Sequence, residues 1–194
     1  MSFPPEDVTI IVQKIAEILR SKNQTLAISE AACGGLISSY IVSEPGASQF
    51  YIGGKLLYSL KQRLKLSGWS DNEIRNYMGP SEIVALKLAR TAKYELGSTF
   101  VLSETGFAGP STDLHLDEEK ENIIDDNEIE SNNNNNNKNN PPTADVGTVF
   151  VGFTGPNGDS STFKKFPNQP RNQNMIDFAK FALEFLLEQL QKQQ

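Results

Sequence analysis

Apolar residues recur along this chain at helical spacing in some stretches and as short continuous runs in others, and the alternation predicts its elements. Pro4, Pro5, Glu6 and Asp7 put proline and acids where a helix begins, and Val8, Ile11, Val12, Ile15, Ile18 and Leu19 then carry a helical stripe to about Arg20. Thr25 to Ile28 reads as a buried strand. It feeds the turn Ser29 to Gly35, after which Leu36, Ile37, Tyr40 and Ile41 read as a helix. Gln49 to Tyr58 is aromatic and apolar around Gly53-Gly54, a strand with room for a bulge. Leu60 to Leu66 and Asp71 to Tyr77 are short helices. A longer one opens at Ser81-Glu82 and stops at Gly97.

Thr99 to Ser103 is a second buried strand and empties into Thr105 to Pro110. Val146 to Phe153 and Ser160 to Phe166 flank Gly155-Pro156-Asn157-Gly158, which predicts an antiparallel hairpin. Asn174 to Gln191 closes the chain with an amphipathic helix. Helices alternating with buried strands, followed by a hairpin, predict one domain over residues 1–194. Its expected fold is a three-layer α/β/α sandwich, with a largely parallel sheet and an antiparallel edge hairpin.

Between about residues 111 and 143 the pattern stops. An acidic block runs into six consecutive asparagines, Asn132 to Asn137, and then Pro141-Pro142. With so little to bury, the segment is expected to be a disordered loop insertion. It also carries the charge. Residues 113 to 140 hold nine acids against Lys120 and Lys138, a local balance of −7, so the rest of the chain carries +1 of the total of −6. A near-neutral remainder gives no electrostatic case for nucleic acid or an anionic membrane. No apolar run approaches the ~18 residues that span a bilayer, and the opening MSFPPEDV does not read as a secretory leader. One cysteine, Cys33, and one histidine, His115, exclude a disulfide framework and a Cys/His zinc site, so no metal and no cofactor are expected. These features suit a soluble cytoplasmic or nuclear protein.

Candidate chemistry gathers at three turns. Ser29 to Gly35 and Thr105 to Pro110 each leave a buried strand and combine glycine with hydroxyl or thiol groups. In open α/β sheets such turns share one edge, where ligands bind, and a strand–glycine–helix turn aims N–H groups at an anion; tight left-handed turns alone would also account for the glycines. The third, Pro45 to Ser48, precedes the strand ending in Tyr58 and a group of cations, Lys55, Lys61, Arg63 and Lys65. A serine in such a turn is either a turn residue or a nucleophile. With His115 in the insertion, Ser48 would need a lysine kept neutral by burial. Arg171, just ahead of the last helix, is either an exposed loop arginine or a phosphate clamp.

Taken in order, these pieces resemble the C-terminal domain of the CinA family, also known as a stand-alone nicotinamide mononucleotide amidohydrolase. Glu30 with Cys33-Gly34-Gly35 matches the family's E-S-C-T-G-G, and Pro45-Gly46-Ala47-Ser48 its P-G-S-S. Gly53-Gly54 with Tyr58-Ser59 matches G-G-x-x-x-Y-S-N-E-A-K, and Thr105-Gly106 with Ala108-Gly109-Pro110 matches T-G-I-A-G-P. Ser81-Glu82 and Val146 to Val149 also fit. The resemblance implies metal-free hydrolysis of the carboxamide of nicotinamide mononucleotide, in a homo-oligomer. It makes Ser48 the nucleophile, places Tyr58 and Thr105 near the reacting group, and gives Arg171 the phosphate. Glu30, Cys33, Gly34, Gly35, Gly106, Ala108 and Gly109 would line the ligand.

The base departs from this pattern. The motif's lysine falls on Arg63, its serine on Ala31 and its threonine on Cys33. Arginine stays protonated at any working pH and cannot accept the serine's proton. Losing a general base typically costs roughly 10²–10⁴-fold in rate. Lys61, two residues from Arg63, does not share its helix face. The expectation is a catalytically impaired or inactive relative that retains a pocket for a small phosphate-bearing ligand. The alternative is an active amidohydrolase using Ser48. For the insertion, deleting Leu114 to Asn140 should leave the melting temperature nearly unchanged in thermal denaturation, because shortening a floppy loop alters closure entropy little; a large loss would show that it packs.

Overall fold

The computed structural model describes residues 3–112 and 144–193. The expected insertion, apart from Ser111, Thr112 and residue 144 at its margins, and His115 within it, lies outside the described residues. Helix α1 (Glu6–Ser21) starts behind Pro5, carries Glu6 and Asp7 in its first turn against the helix dipole, and buries Val8, Val12, Ile15, Ala16 and Leu19 along one stripe. Strand β1 (Leu26–Glu30) is buried throughout, and β3 (Phe100–Gly106) is buried up to its last residue. Strands covered on both faces read as continuous apolar runs, which is why no alternation was visible in them.

With β2 (Tyr51–Leu56), β4 (Thr148–Gly155) and β5 (Gly158–Lys165), these form a five-stranded sheet in the order β2-β1-β3-β4-β5. The β2-β1 and β1-β3 ladders are parallel; β3-β4 and the β4-β5 hairpin are antiparallel. The register of β1 against β2 skips Ile52 between the Leu26–Tyr51 and Ala27–Gly53 pairs, and Gly53 lies at φ 131°, so β2 carries a bulge immediately before Gly53-Gly54. One face of the sheet carries α1, α2 (Leu36–Val42) and α6 (Arg171–Lys192) over a core that includes Phe50, Phe100, Leu102, Phe153, Phe178 and Leu186. The other carries α5 (Glu82–Leu96), capped by the Ser81 hydroxyl at its start and by left-handed Gly97 at its end.

Helix α5 approaches closely because its inner face is small. Ala89 and Ala92 meet Ala27 and Val101, and the Ser103 hydroxyl donates to the carbonyl of Ala85 at 2.6 Å. Gly152 completes this contact, since a Cβ there would stand 2.7 Å from the Ala85 carbonyl. Helices α3 (Leu60–Lys65) and α4 (Asp71–Arg75) extend that layer, closing over Leu64, Tyr77, Val84 and Leu88. Among the described residues no helix is long and apolar enough to cross a membrane.

Helix α6 begins at Arg171, three residues before the start read from the apolar pattern. Its first turn, Arg171 to Gln173, is polar and gives no periodic signal, while the Asn174 N–H already closes a helical bond to the Pro170 carbonyl at 3.0 Å. Arg171 is therefore fixed on a helix N-terminus and does not sit in a loop. Gly152→Ala should force α5 off the sheet and destabilise by about 1–3 kcal/mol, the range for overpacking a tight core. Calorimetry should show that loss, while Tyr94→Ala, at a site 92% exposed, stays near wild type.

Candidate functional site

Strands β2, β1 and β3 run parallel, so the segments after Leu56, Glu30 and Gly106 emerge on one edge of the sheet. Two buried acids control that edge. Glu30, 2% exposed, turns back on its own loop. Its Oε2 accepts from the N–H groups of Gly35 at 2.9 Å and Ile37 at 3.0 Å, and its Oε1 from the N–H of Ser38 at 2.6 Å and the Ser38 hydroxyl at 2.5 Å. Glu104, at 0% exposure on β3, reaches across to the same loop. Its Oε2 accepts from Ala31 N–H at 3.2 Å and Cys33 N–H at 3.0 Å. The N–H groups of Gly34 and Leu36 go to the carbonyls of Ala31 and Cys33.

The loop after β1 was expected to aim free backbone donors at a ligand anion. The structure corrects this: internal carboxylates already take those donors. Glu30 accordingly acts as a structural clamp on the loop. Cys33 is also withdrawn from the ligand. Its side chain is fully buried with Sγ 3.8 Å from the Met175 carbonyl, and burial, followed by the charges of Glu104 and Glu30, pushes the thiol well above its usual pKa. Gly34 and Gly35 take left-handed φ values of 63° and 98°, so the turn itself demands them.

The second turn is tied to α6. Asn174, fully buried, donates from Nδ2 to the Ala108 carbonyl at 3.0 Å, and Arg171 donates from Nη1 to the Gly109 carbonyl. Gly106 is demanded by packing, since a Cβ would lie 2.4 Å from the Thr148 carbonyl. The other arm of Arg171 donates from Nη2 to the Tyr58 hydroxyl at 2.5 Å, with its guanidinium 5.9 Å from the ring centroid. Tyr58, 62% exposed, Gly109 and Arg171 thus meet at the rim, each from a different element.

Behind the rim lies a buried polar cluster. Arg63 Nε, Tyr77 Oη, Glu104 Oε1 and Thr105 Oγ1 are all shielded from solvent and none meets strict hydrogen-bond geometry among the described residues, although Arg63 and Thr105 still lie close enough to the Tyr77 hydroxyl to lower its pKa by hydrogen bonding. The Nε of Arg63 is shielded from solvent, and the charge of this residue acts to lower the pKa values of Tyr77 and Glu104. Burial outweighs it at both sites: Tyr77 is raised, and the Glu104 carboxyl is raised despite its backbone donors and Arg63. Glu104, Tyr77 and Asn174 were missed in the sequence. The visible signal was an acid inside the otherwise buried run Val101 to Thr105, where acids rarely lie unpaired.

Ser48 is not part of this constellation. It is exposed on a short 3-10 turn, Ala47–Gln49, beside Arg20, whose guanidinium binds the Pro45 carbonyl and Glu44. The bond from Leu26 N–H to the Phe50 carbonyl, 2.7 Å, places that turn where β1 begins. Tyr58, Arg63 and Thr105 follow the strands' opposite ends. At about 3.3 Å per residue, β2 alone separates Ser48 from Tyr58 by roughly 20 Å within one chain. Within one chain the structure therefore does not bring Ser48 together with Tyr58, Arg63 and Thr105, and position 31 is a buried alanine methyl beside Glu104.

The raised Glu104 pKa sets a sign for stability. Above its ordinary 4.5 the unfolded chain loses the proton before the folded chain does, so this group's contribution falls as pH rises through the folded value. Glu104→Gln removes that slope. Thermal melts across pH 4 to 8 should show the difference between variant and wild type moving in the variant's favour as pH rises; a flat difference would mean that the carboxyl titrates as in the unfolded chain.

Comparison with known proteins bears on the whole arrangement. Residues 8–118 match the profile of the CinA C-terminal domain. The chain is 31% identical over 171 residues to a CinA-like protein of Prochlorococcus marinus, covering 88% of this chain and 33% of that protein. It is 24% identical over 181 residues to a CinA-like protein of Sulfurihydrogenibium sp., covering 93% and 38%. The chain thus spans little more than a third of those curated relatives. Among solved structures, the competence/damage inducible protein CihA from Agrobacterium tumefaciens superposes with a TM-score of 0.74 at 20% identity, over 97% of this chain and 98% of that one. The competence damage-inducible protein A of Klebsiella pneumoniae gives 0.75 at 15% identity, over 96% and 99%. At these identities the structural likeness is one of fold, and the profile match over more than half the sequence supplies the rest: the chain belongs to the CinA C-terminal domain family.

Proposed function

We propose that this chain is a CinA C-terminal-like domain that binds a small phosphate-bearing ligand of the pyridine nucleotide class and does not hydrolyse it. The observation that carries this reading is the makeup of the strand-end site. Position 31 offers a methyl group, position 63 a guanidinium, and Ser48 stands at the opposite edge of the sheet. Amide hydrolysis without a metal needs a nucleophile and a base within hydrogen-bond reach of each other, and Arg63, Thr105 and Glu104 make no such pair among the described residues. A guanidinium does not take a proton at any working pH.

Binding fares better than chemistry. Arg171 is held by Gly109 and Tyr58, which use two of its five N–H donors and leave the others for an anion. The exposed Tyr58 ring beside it suits stacking with a planar base or pyridine.

Incubation with nicotinamide mononucleotide should release ammonia only at background. Calorimetry or thermal shift against pyridine and adenine mononucleotides should show binding that Arg171→Ala weakens by roughly 10- to 100-fold, the worth of one charge-assisted contact. Robust turnover abolished by Ser48→Ala would overturn the non-catalytic half of the reading, and silence across the nucleotide panel would overturn the binding half.

A further inference from the structure

Two backbone N–H groups, from Ala31 and Cys33, converge on a single oxygen of Glu104 at 3.2 and 3.0 Å. Donors spaced in this way around one point are the arrangement that holds a carbonyl oxygen or an oxyanion of a ligand. Here the point is filled from within. Glu104 is fully buried, and its second oxygen, Oε1, finds no hydrogen-bond partner among the described residues. Thr105, the next residue of β3, is also at 0% exposure, and alternation turns its hydroxyl to the opposite face, toward Tyr77. A side chain serving only as a strap between β3 and the loop would not need a carboxyl with one buried oxygen left unpaired, and such an atom calls for a further explanation.

We infer that Glu104 determines what this site accepts: its carboxyl group is the built-in occupant of the Ala31/Cys33 amide pair, shuts a ligand's carbonyl, carboxylate or phosphate oxygen out of it, and confines any ligand to the Tyr58–Arg171 rim. The geometry of the strands makes this possible. Ser29 pairs with Ser103 in the parallel β1-β3 ladder, so the next residue of β3 stands level with the start of the loop. Ser103 is committed to the opposite face through the Ala85 carbonyl, and alternation turns Glu104 toward Ala31 and Cys33. Ligand binding by the domain enters only through the confinement to the rim, and wild-type protein with the nucleotide panel decides that separately.

The test removes the occupant and offers a substitute, with no nucleotide present. Glu104→Ala leaves two amide donors and a carboxyl-sized space, and its melting temperature should drop by roughly 5 °C or more. Sodium formate should restore most of that loss where sodium chloride at the same ionic strength does not, and the amide resonances of residues 31 and 33 should shift with formate in the variant. Wild-type protein should show neither effect. Glu104→Gln retains an acceptor oxygen and should keep both amides protected from exchange without any response to formate. A folded Glu104→Ala that melts identically in formate and chloride overturns the inference, as do wild-type amides 31 and 33 that shift on titration with formate or inorganic phosphate. If Glu104→Ala folds only in formate, the substitution of occupant is shown directly. If it folds in neither salt, Glu104→Gln decides: protected, formate-silent amides support the inference, and a formate response overturns it.

Discussion

The loop that follows β1 hangs on two buried carboxyl groups. Glu30 gathers the donors at the start of α2 and Glu104 those at the end of β1. Removing acids from water is costly, and backbone N–H groups that would otherwise be unpaired offset the cost. The same bonds tie three elements together, because β1, β3 and α2 cannot shift relative to one another without stranding a carboxylate in the core. The turn keeps its two left-handed glycines, and Cys33 is pressed into the apolar layer against α6.

That constraint reaches into the chemistry. A loop whose donors are spoken for internally cannot also cradle a ligand's anion, so the electropositive features left for a ligand lie outward, where Arg171 joins the Tyr58 hydroxyl to the Gly109 carbonyl. Arg63 belongs with Glu104, Thr105 and Tyr77, and not with a serine. The CinA C-terminal fold here carries a buried acid, Glu104, at the interior of its strand edge. The close approach of α5, secured by Ala85 against Gly152 and Ser103, directs Ser103 to one side and leaves Glu104 for the other.

Much of the fold was legible in the order of residues. Helix stripes, continuous strand runs, capping serines and the Gly155 to Gly158 turn are local signals, each set by neighbours a few residues away. They gave the three layers, the antiparallel hairpin and the bulge beside Gly53-Gly54, and the motifs gave the family. The start of α6 was misread because its first turn is polar, and that slip concerned Arg171 itself, whose backbone position decides what its side chain can reach.

Sequence by itself determined which residues could carry chemistry here, including the alanine at position 31 and the arginine at position 63. Only the tertiary structure decided which of them meet. Ser48 and Tyr58 are ten residues apart, yet a strand crosses the whole sheet between them and leaves them on opposite edges. Tyr58 and Arg171 are 113 residues apart and share a hydrogen bond, because strand ends and a helix start are brought to the same edge by pairing and packing. Sequence distance measures contour along the chain, and a strand turns contour directly into separation, whereas a sheet and its helices fold distant contour back into contact.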